Sequence, residues 1–131
     1  MTRHPLLTAA IASTVLLATA VPAHHAWPAI YKVDESITIE GVVTQFLFRS
    51  PHLALMVEVR DDTGEAEQWM VEWGSPRRHL NAGHARDVLK PGDEVTVTGQ
   101  PAWTPGRKSV RLRSLVRASD GFTLTGGPRA R

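Results

Sequence analysis

Hydrophobic and polar residues alternate along several short segments of this 131-residue chain, and such alternation is typical of half-buried β-strands. The clearest segment begins at His52, after which Leu53, Leu55 and Val57 occupy one face and smaller or more polar residues occupy the other. Other segments are rich in Val, Ile, Thr and aromatic residues, which favour strands. We predict strands over 37–48, 52–60, 67–73, 94–99 and 109–117.

A short helix is predicted between the third and fourth strands. Ser75 can accept a backbone hydrogen bond as the helix cap, and Pro76 suits the first helical position, so we predict a helix from Pro76 to about Asn81. Five strands with this one helix follow the order of the oligonucleotide/oligosaccharide-binding (OB) fold. The sequence therefore predicts an all-β, five-stranded, OB-fold-like barrel. In the first strand the apolar residues change face near Gly41, which predicts a bulge or bend at that glycine.

The first 23 residues have the features of an export signal. A short basic start precedes an uncharged apolar run over 5–21, and small residues permit cleavage after Ala20 or after Ala23. The run is short and lacks a basic stop-transfer cluster, which disfavours a retained membrane anchor. We expect export by the general secretory route to a bacterial periplasm, with no membrane attachment after the signal is removed.

Composition narrows the classes of function. With 42% hydrophobic and 21% charged residues, the chain fits a globular protein, and we predict one domain over 24–124, with an extended arm at 24–36 and a flexible tail at 125–131. The absence of cysteine excludes disulfides and thiolate metal sites. The formal net charge is only +2 and no run of five like charges occurs, so we expect no nucleic-acid partner, while a periplasmic protein partner stays open.

Histidine placement supplies the candidate chemistry. If processing follows Ala23, the mature chain begins with His24 and His25. An N-terminal histidine offers its α-amine and its imidazole to one metal ion, and a nitrogen from a distant histidine completes the T-shaped arrangement called a histidine brace. His52 is the best distant candidate, because it follows Pro51 at the start of a strand. Nitrogen-rich tetragonal sites prefer copper, so we predict a copper site formed by His24, His25 and His52. The same histidine pair is also typical of a solvated arm.

The alternative is a metal-free module that binds a ligand or docks a partner. Trp27 and Trp103 lie beside prolines in irregular segments, where they can form a stacking surface. Arg111 and Arg113 share a predicted strand face with Arg117 and form an arginine stripe that suits an anion or a partner. Solvated edge strands carry similar charges.

The remaining polar residues show no catalytic pattern. His79 and His84 are five positions apart, which is poor spacing for one helical face, so we predict both to be surface residues. The sequence contains no nucleophile elbow, no paired catalytic carboxylates and no phosphate loop, and we predict no catalytic residue.

A set of short motifs resembles a family of small exported bacterial proteins that is collected as a domain of unknown function. The motifs are Ala23-His24-His25, a Thr-x-x-Gly-x-Val strand, Ser50-Pro51-His52, Gly74-Ser75-Pro76, the Leu-Lys-Pro-Gly-Asp turn at 89–93 with the strand after it, and Asp120-Gly121. This chain has Ser50 where asparagine is usual and His84 where an aromatic residue is expected. The resemblance covers about 23–124 and implies export and the barrel fold, but no activity.

Overall fold

The strands and helices follow one another nearly as predicted. The computed structural model describes residues 27–127. Its elements are α1 (Trp27–Ile30), β1 (Ile37–Leu47), β2 (Leu53–Arg60), β3 (Ala66–Trp73), α2 (Pro76–Asn81), β4 (Glu94–Pro101), β5 (Ser109–Arg117) and β6 (Thr123–Thr125). Neither helix in this part of the chain is long and apolar enough to cross a membrane.

Five of the strands close into a barrel. Neighbouring strands pair in the order β3-β2-β1-β4-β5, and β3 also pairs in parallel with β5. The β3–β5 pairing joins the two ends of the sheet, so these strands have no free edge along that stretch. The rest of the same edge of β5 pairs with β6, a strand that the sequence pattern did not predict. The predicted OB-fold-like barrel, with one short helix between β3 and β4, is therefore confirmed.

The barrel interior is filled by the predicted alternating residues. Leu53, Leu55 and Val57 of β2 are completely buried, and each such aliphatic side chain contributes roughly 1.5–3 kcal/mol through burial. The other interior side chains come from every strand of the barrel, from the α2–β4 connection and from β6: Ile39, Val43, Val71, Trp73, Leu89, Val95, Val97, Val110, Leu112, Leu115 and Leu124.

The irregularity in β1 lies at Thr44 and not at Gly41. Val43 pairs with Val57 of β2 while Gln45 pairs with Met56, so Thr44 is the extra residue of the bulge. Gly41 has a different role, because a Cβ atom at this position would lie 2.2 Å from the carbonyl oxygen of Glu58. The glycine therefore allows β2 to approach β1 closely, and the predicted bulge at Gly41 was misplaced.

A similar irregularity divides the predicted arginine stripe of β5. Thr98 of β4 pairs with Ser114 while Gly99 pairs with Leu112, so the register skips Arg113. Side-chain parity reverses beyond such a bulge. Arg111 and Arg117 consequently lie on opposite faces of β5. The prediction that the three arginines share one strand face was therefore wrong.

The arm before β1 differs from the predicted extended conformation in its first turn. Trp27–Ile30 form a single helical turn, and the backbone N–H of Tyr31 donates to the carbonyl of Trp27 at 2.7 Å. The turn brings the rings of Trp27 and Tyr31 to one side of the arm, 5.7 Å apart. Contacts with the barrel, described below, hold this short helix in place.

Candidate functional site

The histidine at the start of β2 packs against the N-terminal helix. His52 is half-buried, and its ring lies 4.2 Å from the ring of Trp27, measured between centroids. The neighbouring residue Leu53 donates its backbone N–H to Gly74 at 3.0 Å, which ties this corner of β2 to the end of β3. The other two predicted metal ligands, His24 and His25, lie outside the described residues.

Helix α1 is attached to the connection between β4 and β5. The backbone N–H of Trp103 donates to Ile30 at 3.0 Å, and the indole Nε1 of Trp103 donates to Pro28 at 2.9 Å. Lys32 donates its backbone N–H to Pro101 at 2.9 Å. A four-residue helix is unstable alone in water, so these tertiary bonds determine where α1 lies.

Tyr31 anchors the arm over the β3–β5 pairing. Its side chain is completely buried, and its hydroxyl donates to the carboxylate of Glu72. The hydroxyl of Ser109, 2.7 Å away, donates to Tyr31, because a phenol that already donates its single proton can only accept. Burial, together with the hydrogen-bonded Glu72, raises the pKa of Tyr31, so the phenol is neutral at physiological pH.

Arg111 covers the ring of Trp27. Its guanidinium carbon lies 4.8 Å from the ring centroid, and its Nη1 donates to Gln100 at 3.3 Å. Burial, with a smaller effect from the positive charge of Arg113, lowers the pKa of Arg111. Trp27 therefore contacts both an imidazole and a guanidinium, which limits the orientations that its indole can adopt.

The four residues predicted as a ligand or partner surface all contact the arm. Trp27 is part of the arm, Trp103 donates to Pro28, and Arg111 covers the ring of Trp27. Arg113 donates to the carbonyl of Val33 at 3.0 Å. Trp103 keeps 55% of its surface exposed. The structure thus brings Trp27 and Arg111 together beside His52, while Arg113 and Trp103 contact other parts of the arm.

His79 was wrongly predicted to be a surface residue. It is only 4% exposed, and its ring packs near Phe46, Phe48 and Trp73, with centroid distances of 5.9 to 6.3 Å. The His84 ring lies 5.0 Å away. The helical spacing rule missed this pair because His84 lies after the end of α2, where the chain turns back toward the helix.

The described residues alone do not form a metal centre. Within 27–127, no group of three or more His, Cys, Asp or Glu side chains is arranged to hold a metal ion. The ring of His52 contacts that of Trp27, and Trp27 in turn lies near the ring of Tyr31 and the guanidinium of Arg111.

Comparisons with known proteins bear on family and fold. A family model described as "Family of unknown function (DUF6152)" matches residues 11–111. No curated protein matches the chain. One similar solved structure is the mitochondrial single-stranded DNA binding protein Rim1 of S. cerevisiae, with 14% identity and a TM-score of 0.48 over 71% of this chain and 96% of that one. Another is the N-terminal domain of PriB from Thermoanaerobacter tencongensis, with 16% identity and a TM-score of 0.46 over 65% and 97% of the two chains.

The prediction that nucleic acid is not a partner was wrong. It rested on a small net charge, yet solved structures that resemble this chain include single-stranded DNA binding proteins. Net charge sums over the whole sequence, whereas binding of single strands depends on local cationic and aromatic groups. A small net charge therefore does not exclude nucleic acid as a partner. At such low identity the likeness concerns the fold alone and does not indicate what this chain binds.

Proposed function

This chain belongs to DUF6152, a family of unknown function, and we propose that it is an exported protein that binds copper through its processed N-terminus and His52. The proposed ligands are the α-amine and imidazole of His24 and the imidazole of His52, with His25 as an additional ligand. The role is binding or delivery of the metal in the periplasm. One observation carries the proposal, which is the packing of Trp27 against His52.

Covalent geometry makes the Trp27–His52 contact informative. Consecutive Cα atoms are 3.8 Å apart, so the Cα atoms of His25 and His24 lie within about 8 Å and about 11 Å of the Cα atom of Trp27. The ring of Trp27 is in contact with His52. An N-terminus created by cleavage after Ala23 is therefore tethered close to His52, which lowers the entropic cost of bringing the three nitrogen donors to one ion.

The chemistry of these donors favours copper. An α-amine has an ordinary pKa of about 7.7–8.0, so a metal ion displaces its proton at small cost near neutral pH. Two imidazoles and an amine make a nitrogen-rich set, and Cu(II) binds such sets most tightly among the divalent first-row metals. The contact with the indole of Trp27 and the backbone bond from Leu53 to Gly74 restrain His52 directly before the start of β2.

Copper titration of purified protein that begins at His24 tests the proposal. We expect a paramagnetic spectrum dominated by nitrogen ligands, and we expect His24→Ala and His52→Ala each to weaken binding by about tenfold or more, the scale of one lost ligand. His84→Ala is the matched control, because His84 is a half-buried histidine that contacts His79 and Phe122. If both ligand variants retain the affinity of the unsubstituted protein, the copper proposal is wrong.

The position of the N-terminus provides a second test. Cleavage after Ala23 leaves 108 of the 131 residues, whereas cleavage after Ala20 leaves 111 and places Val21 first. The intact mass of the exported protein distinguishes the two. Protein made to begin at Val21 lacks an N-terminal histidine, and we expect it to bind Cu(II) more weakly than protein that begins at His24. Equal affinity would exclude the α-amine of His24 as a ligand.

One observation favours the alternative of a metal-free ligand-binding module. Trp27 and Arg111 line a pocket together with residues of α2 and of the segment after β6, and His52 is not among the lining residues. Binding of a ligand there without metal, together with the absence of copper binding in the titration above, would support that alternative.

A further inference from the structure

A pocket of about 210 Å³ opens at the end of the barrel where β3, β5, α2 and the segment after β6 meet. Its walls include Trp27, Trp73, Arg78, Arg111 and the glycine pair Gly126-Gly127. Pockets that bury drug-sized molecules measure roughly 300–1,000 Å³, so this one suits a smaller ligand.

Two guanidinium groups from different elements give the pocket its charge. Arg78 comes from α2 and Arg111 from β5, and no aspartate or glutamate lines the pocket. Within residues 27–127, neither arginine forms an ion pair with a carboxylate within 4.0 Å. The bond from Arg111 to Gln100 uses only one of its five N–H donors. Glu72, which pairs with Arg111 in the β3–β5 register, accepts a hydrogen bond from Tyr31 and does not line the pocket. Among the described residues that line the pocket, the two arginines are therefore the charged ones.

The glycine pair Gly126-Gly127 lines the pocket without side chains that would fill it. A Cβ atom at Gly126 would lie 1.8 Å from the carbonyl oxygen of Leu112, so only glycine lets the chain run this close to β5. A Cβ atom at Gly127 would lie 3.1 Å from Nη2 of Arg78. Any side chain at Gly127 would thus take up the space beside the guanidinium.

We propose that this pocket binds a small oxyanion, a carboxylate or a phosphate, through Arg78 and Arg111. Guanidinium groups match both anions because their planar N–H donors bind two oxygens at once. The ring of Trp27, held beneath Arg111, offers an apolar surface to a short organic group attached to the anion. This inference depends on the pocket and is independent of the copper proposal.

Titration of the purified protein in metal-free buffer tests the oxyanion site. The probes are inorganic phosphate and acetate, each compared with chloride at equal ionic strength, and the readouts are calorimetry and the NMR signals of the Trp27 indole and the Gly127 amide. We expect saturable binding of at least one probe, with the stronger of the two identifying the anion class. Arg78→Gln and Arg111→Gln should each weaken it by about tenfold, the scale for a lost hydrogen bond to a charged group.

Two further variants separate a specific site from general electrostatics. Arg77→Gln is the matched control, since Arg77 is the exposed neighbour of Arg78 on α2 and does not line the pocket; we expect it to leave affinity unchanged. Gly127→Asp places a carboxylate beside Arg78 that competes with the ligand, and we expect this variant to abolish anion binding. It keeps the proposal testable if Arg111→Gln impairs folding.

Three results would overturn the proposal. The first is the absence of saturable binding of either probe. The second is an equal loss of affinity in Arg77→Gln and Arg78→Gln, which would indicate unspecific attraction. The third is binding of an oligothymidylate through the two pocket arginines without binding of free phosphate or acetate, which would assign the arginines to a nucleic-acid backbone instead.

Discussion

His79 is a histidine enclosed by aromatic rings, with Nε2 3.0 Å from the carbonyl oxygen of Ala85. Burial lowers its pKa from the ordinary value of 6.5, the hydrogen bond to Ala85 opposes this shift, and the charge of His84 adds to the lowering. The neutral ring is therefore the form that the folded protein favours.

Protonation of His79 should destabilise the folded protein in mild acid. The pKa of His79 is lower in the folded protein than the value of 6.5 in the unfolded chain, so between these two pKa values the unfolded chain binds more protons. The stability that neutral His79 contributes is therefore fully present above pH 6.5 and is lost as the pH falls through the folded pKa. We expect urea unfolding to show lower stability at about pH 5.5 than at about pH 7.5. His79→Phe keeps an aromatic ring but cannot protonate, so the difference between the two pH values should shrink.

The control for this experiment is His84→Phe, which removes the neighbouring titratable group but leaves His79 in place. We expect this variant to keep most of the pH dependence, because burial is the largest cause of the pKa shift at His79 and His84 contributes less. An undiminished pH dependence in His79→Phe would show that other groups are responsible.

At the scale of elements, most strands were predictable and the smallest elements were not. The predicted bounds of α2 and β5 agree with the structure, because a capping serine, a proline and period-two alternation act locally. Helix α1 and β6 have four and three residues, too few to show a period. The position of α1 depends on bonds between the arm and distant segments, such as the contact between Tyr31 and Ser109, which are 78 positions apart. Strand β6 pairs with β5, the strand directly before it.

The attachment of α1 can be tested at Tyr31. Tyr31→Phe removes the hydroxyl that Glu72 and Ser109 share, and leaves polar groups without this partner beneath the arm. We expect a loss of about 1–3 kcal/mol in the free energy of unfolding, measured with urea. Thr38→Val is the control, since it removes an exposed hydroxyl that bonds Thr98, and it should change stability by no more than about 0.5 kcal/mol. Equal effects of the two substitutions would contradict this assignment.

At the scale of the whole molecule, barrel closure depends on close approach between strand backbones. Gly41 of β1 lies against Glu58 of β2, and a Cβ atom at Gly99 of β4 would lie 2.5 Å from the carbonyl oxygen of Arg111. The bulges at Thr44 and Arg113 occur in the same two strand pairs. These features together bend the sheet until β3 meets β5.

Alanine substitutions test this role of the two glycines. Gly41→Ala and Gly99→Ala each push a methyl group into a neighbouring backbone, so we expect each to lower the free energy of unfolding by about 1–3 kcal/mol or more. Gly74→Ala is the matched control, because a Cβ atom there meets no atom within 4 Å. Circular dichroism during urea unfolding measures all three, and a loss at Gly74 as large as that at Gly41 would argue against the packing explanation.

The sequence by itself determined the strand pattern and the capped helix α2, since these depend on residues that are neighbours along the chain, and the order of these elements was enough to indicate the barrel. It also led to the prediction that His52, together with His24 and His25, binds a metal ion. Only the tertiary structure decided that Trp27 contacts both His52 and Arg111, that His79 is buried and that the β5 stripe is divided at Arg113. These outcomes depend on which distant segments meet when the barrel closes, and local periodicity carries no information about contacts of that range.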